Sequence, residues 1–282
     1  MGWHEWPLMI FTVFGQVAVG GLLVLGFASF SNKIEEIDKI SITKSLFFVW
    51  LLLGIGFAAS TFHLGSPFRG MNALNRIGSS GLSTEVACGV VFFALGGLYW
   101  LLAIMGKLPT GLKTIWLAIV MILGIVFVYS MVNAYKINTV PTWNNCYTTV
   151  NFFMTMIIGG VVLGYLLKRP ACECGGGILA LIVLIAFTVS IMSNLMQSSE
   201  LATISNASIS ATALSPDFGK LMALRVLFVA IGLTLWITPI VKGKATGCGL
   251  TFIALLFVLA GELVGRGVFY GLHMTVGMTY GG

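Results

Sequence analysis

Eight apolar runs, at approximately 7–30, 45–62, 84–105, 111–133, 148–167, 177–197, 220–241 and 249–270, alternate with mostly short polar connectors along the sequence. A helical crossing of a bilayer takes about 20 predominantly apolar residues. Each run is long enough, although 45–62 is at the short end. The period-two alternation of lipid-facing strands is absent, which excludes a barrel. Helices then remain as the way to satisfy the backbone in hydrocarbon. The expected fold class is therefore all-α: a polytopic membrane protein with eight transmembrane helices, forming one integral membrane domain over 1–282. An even number of spans permits two four-helix bundles. Gly20–Gly21, Gly54-Ile-Gly56 and Gly159–Gly160 supply small residues of the kind that let helices approach closely.

Composition agrees with this reading. Hydrophobic residues make up 58% and charged residues 9% of the protein, whereas soluble domains carry roughly a quarter charged residues. The net charge of +6 is no nucleic-acid signal, because Lys and Arg sit mainly in the connectors, where they orient a membrane protein. The opening MGWHEWPLMIFTVFGQ lacks a basic region before its apolar run, so a retained first helix with Trp3 and Trp6 as interfacial anchors is expected, not a signal peptide. Position 6 is Trp, which removes the myristoylation pattern. Cys88, Cys146, Cys172, Cys174 and Cys248 are scattered, and Cys172 with Cys174 alone is too few for a zinc or iron–sulfur site. Free thiols are expected.

With eight spans both termini share a side. Connectors on the opposite side carry Lys33, Lys39, Lys44, Lys107, Lys113, Lys168, Arg169, Lys242 and Lys244, against Arg69, Arg76, Lys136 and Lys220 on the terminal side. The excess marks the cytoplasmic face, so both termini are expected outside. Ionisable residues not needed for topology then collect in the outer half. His63 ends the second span and Glu85 opens the third. Glu200 closes the sixth, Arg225 lies near the start of the seventh, and Glu262, Arg266 and His273 occupy the end of the eighth. Ionisable groups in membranes are costly and tend to face a bundle interior or a cavity, so a polar site near the outer face is expected.

Each of these groups also has a structural explanation. Glu262 and Arg266 are four apart on one helix face and could neutralise each other. Ser83 could cap the third helix, with Glu85 in its first turn beside free backbone N–H groups. His63 could be a hydrogen-bonded boundary residue, although histidine is the side chain best suited to exchanging protons near neutrality. Arg69 and Arg76 flank MNALNRI, whose apolar positions 71, 74 and 77 suit a short helix along the membrane surface. The two arginines serve either as interfacial charges or as a positive edge for a protein partner. His63 and His273, both at helix ends, offer no convincing bis-histidine haem site, and no haem, metal or iron–sulfur cluster is expected in this protein.

GWHEWPLMIFTVFGQ at the start, HLGSP at 63–67, ALNRIG at 73–78, TVPTW at 139–143, ELATI at 200–204 and GELVGRGVFYGLHMTVGM at 261–278 together carry a likeness. The sequence resembles the membrane anchor subunits of bacterial anaerobic dimethyl sulfoxide reductases, their paralogues included, from end to end. That resemblance implies an anchor in the inner membrane with both termini periplasmic. Its implied partners are an iron–sulfur electron-transfer subunit and a molybdopterin catalytic subunit, in a heterotrimer that uses menaquinol in anaerobic respiration. By the same resemblance His63 and Glu85 are the residues associated with quinol binding, and Arg69 and Arg76 are further candidates. A neutral His63 would accept the quinol proton while Glu85 orients the ring or relays the proton. A shared site requires the two side chains to approach each other beside a lipid-accessible pocket. Competing readings are a purely structural anchor and a proton-coupled transporter. A transporter needs polar groups through the midplane, and the cytoplasmic half of the spans has almost none.

Overall fold

The computed structural model describes residues 2–32, 34–63, 74–168, 176–205 and 210–275. A 3₁₀ turn, Gly2–Glu5, leads directly into α1 (Trp6–Phe30). There follow α2 (Glu36–Thr61), α3 (Gly81–Ile104), α4 (Thr110–Tyr135), α5 (Cys146–Lys168) and α6 (Gly176–Leu201). The short α7 (Ala211–Leu214), α8 (Phe218–Val241) and α9 (Cys248–Gly271) complete the fold. Eight of these helices, all but α7, are long and apolar enough to cross a membrane. Among the described residues the β-structure is limited to one isolated bridge, Ser205 to Ser210.

The helices extend beyond the apolar runs that announce them. α2 starts nine residues before the expected boundary, because Glu36-Ile-Asp-Lys-Ile-Ser-Ile-Thr-Lys continues as helix with acids in its first turn, where the helix dipole favours them. α3 likewise begins at Gly81, and its N-cap is Ser80, whose hydroxyl accepts from Ser83 N at 3.5 Å. Ser83 is therefore not the cap. Glu85 lies in the second turn, beyond the free N–H groups of the helix start that would otherwise explain an acid there.

Two apolar cores meet at α1 and α5. One gathers Leu22, Leu46, Leu53, Phe92 and Phe127 from α1–α4 with Phe152 and Met156 of α5. The other gathers Val183, Leu233, Trp236 and Val258 from α6, α8 and α9 with Val13 and Val17 of α1 and Ile158 and Val162 of α5. The α1–α5 pair at the seam packs backbone to backbone. A Cβ on Gly20 would overlap the Met156 carbonyl oxygen and lie 2.8 Å from the Gly160 Cα. Lipid gives helices no hydrophobic incentive to associate, so this close packing is what small residues contribute. Gly54, by contrast, makes only ordinary contact, at 3.8 Å from Phe93.

The first and last described residues sit at one end of the bundle. Gly2 packs on Tyr270 and Gly271, and Gly267 packs on the Trp3 ring. The ends of α2, α4, α6 and α9 and the starts of α1, α3, α5 and α8 share this terminal end. Gly20→Val should force the seam apart, lowering stability by about 1–3 kcal/mol in denaturant titrations of the micelle-solubilised protein. Gly97→Ala, where no neighbour lies within 4 Å of the added Cβ, should leave the midpoint unchanged.

Candidate functional site

The terminal end holds two sets of polar side chains. The first is buried and joins five spans. Arg225 on α8 donates from Nη2 to Glu262 Oε2 at 3.1 Å and Oε1 at 3.3 Å, and to Ser190 Oγ on α6 at 3.0 Å. Thr155 Oγ1 on α5 donates to Glu262 Oε2 at 2.6 Å. Arg266, one turn further along α9, donates from Nη2 to Gln16 Oε1 on α1 at 2.8 Å, and its guanidinium carbon lies 3.8 Å from the Phe152 ring centroid. All these polar residues are nearly inaccessible.

The expected mutual pairing of Glu262 with Arg266 is therefore replaced. Their spacing puts them on one face of α9, but the carboxylate forms its ion pair with Arg225 on the neighbouring helix, and Arg266 turns to a neutral amide and an aromatic face. Gly265 makes this geometry accessible: a Cβ there would lie 2.6 Å from Arg225 Cδ. Measured along the axis, Glu262 lies nine residues, about 13 Å, from the end of α9. Asn151, Asn194, Gln197 and Arg225 join Glu262 and Arg266 in lining a cavity of about 30 Å³, room for about two water molecules. Neither His63 nor Glu85 lines it.

The second set lies at the edge. α2 ends at Thr61, and His63 follows with its amide bonded to Ser60 O at 3.2 Å. Its Nδ1 stands 2.8 Å from Glu5 Oε2, and its side chain is 43% accessible. Beside this pair the rings of Trp6 and Phe62 face each other, with centroids 6.1 Å apart. The start of α1 thus meets the end of α2 through two consecutive residues from each.

Glu85 has a different setting. It is 2% accessible, and Oε1 has no hydrogen-bond partner. It lies close enough to Tyr135 and Tyr270 to interact with them electrostatically, and those two hydroxyls are 2.5 Å apart. His63 and Glu85 share the terminal end of the bundle, but no ion pair joins them, and the carboxylate that meets His63 is Glu5.

Arg69 lies outside the described residues, as do Cys172 and Cys174. Arg76 is exposed in a single 3₁₀ turn, where its carbonyl accepts from Ser79 and Ser80 amides. His273 stacks on Trp143, with centroids 4.7 Å apart. Cys88, Cys146 and Cys248 are free thiols, and no metal-binding cluster occurs among the described residues.

Sequence reasoning passes over Glu5, Gln16, Thr155 and Ser190. Gln16 has a readable signal, as an amide inside the first apolar run. Threonine and serine bond their own helix backbone so readily that Thr155 and Ser190 carry none.

The family model described as the DMSO reductase anchor subunit (DmsC) matches residues 1–272. The protein is 49% identical to the C subunit of the anaerobic dimethyl sulfoxide reductase of Escherichia coli K12, over 98% of each sequence. It is 45% identical to the anaerobic dimethyl sulfoxide reductase subunit YnfH of the same organism, over 100% of its own length and 99% of the relative. It is 40% identical to the C subunit of the Haemophilus influenzae anaerobic dimethyl sulfoxide reductase, again over 100% and 99%. The protein belongs to the dimethyl sulfoxide reductase anchor subunit family.

Arg225→Met should cost about 3–5 kcal/mol, because Glu262 would stay buried without its counter-charge. Arg225→Met with Glu262→Met should recover most of that loss in detergent unfolding curves.

Proposed function

We propose that this member of the anchor family holds a dimethyl sulfoxide reductase complex on the bacterial inner membrane and oxidises menaquinol at its terminal end. Electrons pass to an iron–sulfur subunit and on to a molybdopterin catalytic subunit. The observation that carries the reading is the setting of His63: a half-exposed imidazole at the bundle edge, its Nδ1 2.8 Å from a carboxylate. The buried charged side chains of the spans, Glu85, Arg225, Glu262 and Arg266, lie toward the same end. The positive-inside count supports a periplasmic terminal end, on the face where the partners dock.

Quinol oxidation releases two electrons and two protons. His63 accepts a hydroxyl proton at Nε2, the nitrogen not facing Glu5. Glu85 sits in a dry setting with a free carboxylate oxygen, suited to orienting the ring or taking part in proton transfer. Arg76, exposed on the connector at the same end, supplies positive charge for the quinone oxygens or an acidic partner surface, and Arg69 is a second candidate by its place in the sequence. Two larger apolar clefts, of about 370 and 360 Å³, open between α1, α5 and α6 and between α6 and α8. They reach toward Lys168 and Lys242 at the opposite end, where lipid chains fit them.

In membranes carrying the whole complex, His63→Ala should abolish dimethyl sulfoxide reduction driven by a naphthoquinol. Reduction driven by a viologen dye, which feeds the partner subunits directly, should persist. Undiminished quinol-driven turnover would favour a purely structural anchor.

A further inference from the structure

We infer that Glu5 is the positioning residue for His63 in quinol oxidation; this rests on the quinol-oxidising reading above. Several placements converge on it. Gly2–Glu5 docks against the end of α9 through Gly2 and Trp3, so Glu5 is delivered by a packed turn. The adjacent ring pair, Trp6 with Phe62, aligns the end of α2 with the start of α1. Oε2 of Glu5 then stands 2.8 Å from Nδ1 of His63. Another titratable neighbour is His4, whose Nε2 lies 3.8 Å from Glu5 Oε1, with its own side chain 77% accessible. At that distance it leaves the closer oxygen to His63.

A carboxylate at Nδ1 has two chemical consequences. Its negative charge 2.8 Å from Nδ1 favours the hydrogen on that nitrogen and so leaves Nε2 as the base, a charge contact and not an aligned hydrogen bond. It also faces the positive charge that forms when Nε2 takes a proton, as an aspartate does behind a catalytic histidine. The quinol O–H bond breaks and an Nε2–H bond forms. The two electrons would leave one at a time to the iron–sulfur partner subunit, which would pass each on before taking the next. The imidazolium returns its proton to water at the exposed edge and accepts the second.

The test uses the complete complex in membranes, with a soluble naphthoquinol as donor and dimethyl sulfoxide as acceptor. Glu5→Gln preserves size and an acceptor atom but removes the charge. It should lower kcat roughly 10–100-fold, within the range that acid–base groups contribute, with KM for the naphthoquinol changed less than about twofold. Viologen-driven reduction should be unchanged, and Glu5→Asp should restore part of kcat. An unchanged kcat in Glu5→Gln alongside an inactive His63→Ala would overturn the role of Glu5 and leave the quinol site standing. Loss of viologen-driven activity in Glu5→Gln would also overturn it, by making Glu5 structural. Full quinol-driven turnover in both Glu5→Gln and His63→Ala would overturn the quinol-oxidising reading itself.

Discussion

Hydrocarbon offers a backbone amide no partner, and that constraint organises everything else in this protein. Each span closes its own hydrogen bonds as a helix, which fixes the element type before any side group is considered. What holds the helices to one another must then come from packing and from polar contacts. The Gly20–Gly160 contact is the clearest case of the first: the two backbones approach so closely that a single methyl group on either glycine has no room. The Arg225–Glu262 pair is the clearest case of the second, because it ties α8 to α9 and, through Ser190 and Thr155, to α6 and α5.

Buried charge is costly wherever it lies, so its distribution is informative. The buried cluster carries two guanidinium groups against the one carboxylate of Glu262. Arg266 offsets part of the imbalance through Gln16 and the faces of Phe152 and Phe269. Such contacts offer a cation electron density without a second full charge. Around this frame the terminal end divides into a sealed polar interior and an accessible edge. The cluster has the connectivity of a structural tie across five helices. The edge, with His63 and Glu5, is partly accessible.

Legibility followed the range of each interaction. The eight spans could be read because hydrophobicity over about 20 residues is a local property. Their ends were read less well: α2 and α3 begin earlier than their apolar runs, since helix continues through polar residues once capped and dipole-compatible. The collection of ionisable groups at one end was also readable, because alternating spans convert sequence position into depth. Which group met which was not. Glu262 and Arg266 satisfy every local rule for a pair, yet Arg225, distant in sequence, reaches the carboxylate first. The carboxylate that meets His63 is Glu5, which stands in the sequence only as part of the opening motif.

The residues alone determined the solvent, the element type, the number of crossings and the end at which the chemistry-bearing side chains gather. Those properties follow from transfer free energy summed along a helix, which needs no knowledge of neighbours. The tertiary structure decided the partners: Arg225 for Glu262, Gln16 for Arg266, Glu5 for His63, and the Tyr135–Tyr270 pair near the buried Glu85. Hydrogen bonds and ion pairs act over about 3 Å, so they depend on the rotation and offset of packed helices. Small contacts such as Gly20 against Gly160 and Gly265 against Arg225 set that rotation and offset, and no periodicity in the sequence encodes them.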